Sequence, residues 1–174
     1  MSKLKIPVGP EDHIEGEEGA ECTLVEYGDY ECPHCARAHP IVKRLQRHFR
    51  KHLRFVFRNF PLSQLHPHAE SAAEAAEFAA SQGKFWEMHD LLFENQSRLD
   101  IALYEALAEE LGLSSNELRE ALTRRDYLPR VRADFAGGVR SGVNGTPTFF
   151  INGQRHDGSY EYDDLRAAIE EARV

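Results

Sequence analysis

Cysteine is scarce in this chain: three in 174 residues, at positions 22, 32 and 35. An odd count this low excludes a disulfide-stapled scaffold. Positive charge is also in deficit. Lys and Arg number 21 against 29 Asp and Glu, a formal charge of −8, which argues against a nucleic-acid partner, since that needs a basic face to neutralise phosphates. No apolar run approaches the roughly 18 to 20 residues required to span a bilayer. The first ten residues carry Lys3 and Lys5 but no apolar core, and pass into Glu11, Asp12 and Glu15, so they do not read as an export signal. The expected location is therefore cytoplasmic, or periplasmic if such a signal has been removed. Internal repeats and low-complexity linkers are missing too. What remains is a chain 41% hydrophobic and 29% charged, the profile of one globular domain with a core of its own.

The hydrophobic pattern orders the chain. Residues 1–21 are rich in Gly, Pro and Glu and read as a mostly irregular lead-in. Cys22–Tyr27 is β-prone. From Pro33 to Phe49 the stripe Ala38, Ile41, Val42, Leu45, Phe49 has helical spacing. Pro33 suits the first turn, whereas Pro40 predicts a kink. Leu53–Asn59 is a second strand, continuously apolar at Phe55, Val56 and Phe57, as in a sheet covered on both faces. A strand–helix–strand unit predicts a parallel pair with a right-handed crossover. Helical segments follow at 67–82, 85–96, 102–111, 114–123 and 127–142, the last with an expected interruption at Gly137-Gly138. Thr148–Ile151, the turn pair Asn152-Gly153 and Gln154–His156 form a hairpin. Ser159 offers the N-cap of a last helix, buried through Leu165, Ala168, Ile169 and Ala172. The class is α/β with a mixed β-α-β … β-β-α sheet. A connection this long between its halves must carry its own structure. The expected division is 22–66, an inserted helical subdomain at 67–126, and 127–174.

The chemistry concentrates at Cys32-Pro33-His34-Cys35. The pair follows a strand and opens a helix, whose N-terminus presents free N–H groups and the positive end of the macrodipole. A thiolate on Cys32 is favoured there, and a depressed pKa makes it both nucleophile and leaving group. His34 adds a donor, or a positive charge when protonated. Cys35, one turn further in, is the less exposed thiol. The competing reading is half a zinc site, which needs two more ligands. No second C-x-x-C pair exists, and His66 and His68, flanking Pro67, are not placed near Cys32 by anything in the sequence.

The run Tyr27-Gly-Asp-Tyr-Glu-Cys-Pro-His-Cys35, together with Gly145-Thr-Pro-Thr-Phe-Phe-Ile-Asn-Gly153, resembles the DsbA-like branch of the thioredoxin superfamily. Asn59-Phe-Pro-Leu62 and the stretch from Gly83 to Phe93 are similar to the same branch, and the resemblance covers roughly residues 8–169. It implies a thioredoxin fold with a helical insertion, and thiol–disulfide exchange with protein substrates. It implies that Pro147 is cis and lies against the Cys32 helix, with Thr146 turned toward a groove where a substrate pairs as an added strand. It implies that Glu26 sits beneath the site and shuttles the Cys35 proton; by alternation alone, Glu26 is as compatible with a solvent-facing position. Asp29 and Glu31 read as solvated loop acids opposing thiolate formation. Cys22 reads as packing, and Phe85, Trp86 and Phe93 as core of the inserted helices.

The redox-active pair Cys32–Cys35 is the only prosthetic element this reading requires. Expected partners are protein thiols and disulfides, with glutathione or a thioredoxin-type reductant recycling a monomer. Direction stays open. His34 points to an oxidase, whereas cytoplasmic residence and Thr146, which occurs in reductase- and isomerase-type relatives, point the other way. In a related arrangement such a domain is fused to a membrane transporter. The rival of another class is a redox-inactive or regulatory binding module on the same fold; a glutathione-dependent transferase or isomerase is disfavoured by the second cysteine.

Overall fold

Two apolar strands form the centre of the sheet. In a computed structural model describing residues 2–173, β2 (Cys22–Gly28) and β3 (Leu53–Asn59) run parallel, with Cys22 opposite Leu53 and Gly28 opposite Asn59. Met1 and Val174, the outer bounds of the first and last expected segments, lie outside the described residues. Between the two strands runs α1 (Pro33–Phe49), one helix that continues through Pro40. On the other side of β2, β4 (Thr148–Ile151) pairs antiparallel and turns through Asn152-Gly153 into β5 (Gln154–Arg155). Asn152 and Gly153 both have positive φ, the backbone this tight turn demands. The fifth strand comes from the lead-in: β1 (His13–Glu15) pairs antiparallel with β3, giving the order β1-β3-β2-β4-β5. The mixed α/β sheet is thus the expected one, enlarged by a strand too short for the sequence pattern to reveal.

The strands bury both faces. Leu24, Phe55, Phe57, Phe149 and Ile151 face a large core with α1, the inserted helices and α7 (Tyr162–Ala172). Val25, Tyr27, Val56 and Phe150 face a smaller one closed by Phe60, Val143, the N-terminal arm and Phe135 of α6 (Leu128–Arg140). The intervening helices are α2 (Ala69–Ser81), α3 (Phe85–Glu94), α4 (Ile101–Glu110) and α5 (Ser115–Arg124). Alanines at 69, 72, 73, 75, 76 and 79 are all buried and let α2 pack closely. Phe85 and Phe93 are buried there as expected, while Trp86 is partly buried against Phe55.

Two helix expectations need correction. Gly137 and Gly138 do not interrupt α6. A Cβ on Gly138 would lie 2.7 Å from Phe60 and 3.0 Å from Tyr27, so glycine here lets the helix approach the sheet. The N-cap of α7 is Glu161, and Ser159, two residues earlier, instead accepts the Glu161 N–H. The lead-in is also more ordered than expected. Buried Arg58 makes a two-pronged contact with Asp12 at 2.8 and 2.9 Å and donates to the carbonyls of Ile6 and Pro7, fastening the arm to the sheet.

Candidate active site

β2 stops at Gly28 and the chain turns through Asp29–Glu31 into α1. Cys32 is the N-cap residue, in extended backbone and without a side-chain cap, and Pro33 takes the first-turn position. This leaves the N–H groups of the first turn directed toward the Cys32 sulfur rather than toward a capping oxygen. Cys32 is 4% exposed and Cys35 fully buried; both are free thiols. The Cys32 thiol points at the carbonyl oxygen of Thr146, 3.6 Å away. The Thr146–Pro147 peptide is cis, and the buried Thr146 hydroxyl has no oxygen or nitrogen partner, which leaves it for the Cys32 sulfur.

These surroundings separate the two thiols. Cys32 is lowered to about 5. A hydrogen bond from the Cys35 thiol is the chief cause and outweighs burial, helped by the Thr146 side chain and the N–H groups of His34 and Cys35. Cys35 is pushed well above an ordinary thiol, first by burial and then by its bond to Cys32 and the charge of Glu26. At neutral pH the arrangement is a thiolate beside a protonated thiol.

Glu26 shares its sheet face with Cys22 and Leu24, by the period of two along β2, and that face is covered by α1. It is 3% exposed, so the solvent-facing alternative is excluded, and its Oε2 has no hydrogen-bond partner. Burial, with the Cys32 charge as a second cause, raises its carboxyl to about 8. Gly28 makes space for it: a Cβ there would lie 2.7 Å from Glu26 Oε2. A neutral acid is thereby held in apolar surroundings, electrostatically coupled to both cysteines.

His34 is exposed, with Nδ1 3.0 Å from the Tyr160 hydroxyl, and that hydroxyl accepts from Arg37 at 3.2 Å. Asp29 and Glu31 are not the solvated acids expected. Asp29 is 1% exposed and accepts from the Glu31 and Leu62 N–H groups, with His66 Nδ1 at 2.8 Å. Glu31 receives the N–H and Nδ1 of His68 at 2.6 and 2.9 Å. His66 and His68, the outside candidates for metal ligands, are thus committed to these two acids. Cys22 is fully buried and its thiol pushed up to about 11 by burial, consistent with packing.

Two contributors escaped sequence reading. Gln96, just after α3, donates from one amide nitrogen to the carbonyls of Tyr30 and Cys32 at 2.8 and 2.9 Å, clasping the active-site loop. Tyr30 is fully buried, its hydroxyl 2.8 Å from Nδ1 of buried His89. Nothing in the sequence marks Gln96. Among the described residues, His39, His89 and Asp90 bring one ligand atom each to within 4.8 Å of one another. Lys43 Nζ, 2.9 Å from Asp90 Oδ1, already supplies a cation to that carboxylate.

A family profile described as thioredoxin matches residues 9–171. The chain belongs to the thioredoxin family. Its fold is shared with alpha-DsbA1 of Wolbachia pipientis, with a TM-score of 0.84 over 98% of this chain and 94% of that one, at 19% identity. BdbD from Bacillus subtilis superposes with a TM-score of 0.89 over 99% of this chain and 98% of that one, at 24% identity. A thioredoxin-like oxidoreductase from Silicibacter pomeroyi gives a TM-score of 0.80 over 95% and 94%, at 30% identity. A Na(+)/H(+) antiporter NhaA 1 of Salinispora arenicola is 48% identical over 170 residues, 97% of this chain but 26% of that protein. The chain thus spans about a quarter of the length of the curated relatives it matches. Among the described residues no helix is long and apolar enough to cross a membrane.

Proposed function

We propose that this chain is a thiol–disulfide oxidoreductase whose Cys32–Cys35 pair exchanges disulfides with protein substrates, and that the pair is oxidising by its own chemistry. The observation that carries this is the contrast between the thiols, with Cys32 lowered to about 5 and Cys35 raised well above an ordinary thiol. Stabilising the Cys32 thiolate favours the reduced form, and a protein whose reduced form is favoured oxidises its substrates.

In the oxidising direction a substrate thiolate attacks Cys32 Sγ of the protein disulfide. The S–S bond breaks and Cys35 leaves as a thiolate, taking up a proton from the Glu26 carboxyl. A second substrate thiolate then attacks the substrate sulfur of the mixed disulfide and expels the Cys32 thiolate. Two electrons pass from two substrate thiols to the pair, and a disulfide such as oxidised glutathione restores it. Thr146 contributes in two ways: its hydroxyl donates to the departing Cys32 thiolate, and its backbone pairs with the extended substrate.

Direction in the cell follows the compartment. Where the glutathione pool is reducing, as in the cytoplasm, the pair is held as the dithiol and works as a reductase or isomerase. The antiporter relatives support a role beside a transporter segment of a longer protein, with a cysteine-bearing segment of that protein as one candidate substrate.

Oxidation of reduced ribonuclease and reduction of insulin test the reading, with Cys32→Ser as control. Wild type is expected to be active and the variant inactive. Equal rates for the two in both assays refute exchange and leave a redox-inactive binding module on this fold.

A further inference from the structure

The Asp29 backbone meets both cysteines. Its carbonyl accepts the Cys32 N–H at 3.1 Å, and its own N–H is directed at Cys35. Its carboxylate is fully buried. A bare buried carboxylate here would oppose the Cys32 thiolate by like charge and would itself be costly. Its two N–H donors come from the neighbouring loop and from Leu62; among the described residues its basic partner is His66, 2.8 Å away and one-fifth exposed. The ring is delivered by a tight turn in which Leu62 O accepts the N–H groups of both Leu65 and His66. Burial lowers His66, but the hydrogen bond and charge of Asp29, reinforced by Cys32 and Glu31, raise it above an ordinary histidine.

We propose that His66 is a positioning residue of the redox centre: held on Asp29, its imidazolium offsets the buried carboxylate beside Cys32 and thereby sets how strongly the thiolate is stabilised. The proposal rests on the reading of Cys32 as the exchanging thiol. The charged groups that act on the ring are Asp29, Cys32 and Glu31, all from the β2–α1 loop; His68, just before α2, and Glu70, in its first turn, are next along the chain. His68 is engaged by Glu31, and Glu70 by Arg125 at 2.7 Å. The His66–Asp29 pair is therefore the one proposed to set the balance at Cys32, since His68 and Glu70 are already engaged by partners of their own.

The sign follows from this placement. Between the Cys32 and His66 midpoints, thiolate and imidazolium coexist and the reduced form gains from their attraction. Below that window Cys32 is protonated; above it His66 is neutral. The gain vanishes at both ends.

The test is titration of the Cys32 thiolate by ultraviolet absorbance, and redox equilibration with glutathione across pH, for wild type, His66→Gln, His66→Lys and Asp29→Asn/His66→Gln. His66→Gln is expected to raise the thiolate midpoint by roughly half to one pH unit and make the pair about 3- to 10-fold less oxidising. The gap to wild type should close above the His66 midpoint. His66→Lys and the double variant should lie nearer wild type, because each restores the charge balance. If His66→Gln and wild type coincide, or if His66→Lys shifts as far as His66→Gln while both keep native circular dichroism, the proposal is overturned. An ordinary thiol midpoint in wild type would instead defeat the exchange reading itself.

Discussion

Cys32 Sγ lies 3.6 Å from the carbonyl oxygen of Thr146, a residue 114 positions further along the chain. The contact joins the start of α1 to the loop before β4, on opposite sides of the long helical connection. It places the Cys32 sulfur against the backbone of the cis Thr146–Pro147 peptide, and the Thr146 side chain lowers the Cys32 pKa at the same place.

Thr146→Val removes the hydroxyl while keeping the shape. The Cys32 thiolate loses a donor, so its titration midpoint should rise by about one pH unit, the scale of a hydrogen bond to a charged group. Equilibration with glutathione should move about 10-fold toward the oxidised protein. An unchanged midpoint would remove Thr146 from the account of the thiolate.

Glu26→Gln tests the proton transfer proposed for Glu26. Glutamine cannot give or take the Cys35 proton, so exchange through Cys35 should slow by about 100-fold, at the lower end of general acid–base contributions. Rapid-quench measurement of mixed-disulfide resolution reads this directly. Stability carries a second signature. The Glu26 carboxyl is raised from 4.5 to about 8, so its favourable contribution is complete below pH 4.5 and is lost as the pH rises through about 8. The variant should therefore gain stability relative to wild type across that window in urea titrations of the reduced proteins.

Gln96→Ala removes both donations to the active-site loop. The buried carbonyls of Tyr30 and Cys32 lose a partner, at a cost of roughly 1–3 kcal/mol. Denaturant unfolding should show the loss.

Arg58→Met should be the most damaging change away from the cysteines. Asp12 would keep its buried charge without the guanidinium, a loss of about 3–5 kcal/mol, visible as a lower unfolding midpoint. Hydrogen exchange should show the N-terminal arm released.

Much of this architecture is legible in the sequence because periodicity and punctuation carry it. The stripe of α1, the continuous apolar run of β3 and the Asn152-Gly153 turn each have a local cause. The cysteine pair is legible for the same reason: adjacent positions at a strand–helix junction suffice. What escaped depends on partners distant in sequence. Asp29 and Glu31 look like solvated loop acids until His66 and His68, 37 residues on in each case, are brought to them. Glu26 fits either face of a strand until α1 covers one. β1 is three residues long, too short for any period. Gly137-Gly138 looks like a helix break, because sequence does not reveal that Phe60 and Tyr27 press against that side. Gln96 acts through a single side-chain amide that no pattern announces.

Redox equilibration of wild-type protein with glutathione at pH 7 tests the central claim most directly. The account predicts a potential well above thioredoxin's, about −270 mV, together with a Cys32 thiolate that titrates near pH 5. A potential at or below thioredoxin's, with a thiol titrating in the ordinary range, would contradict it.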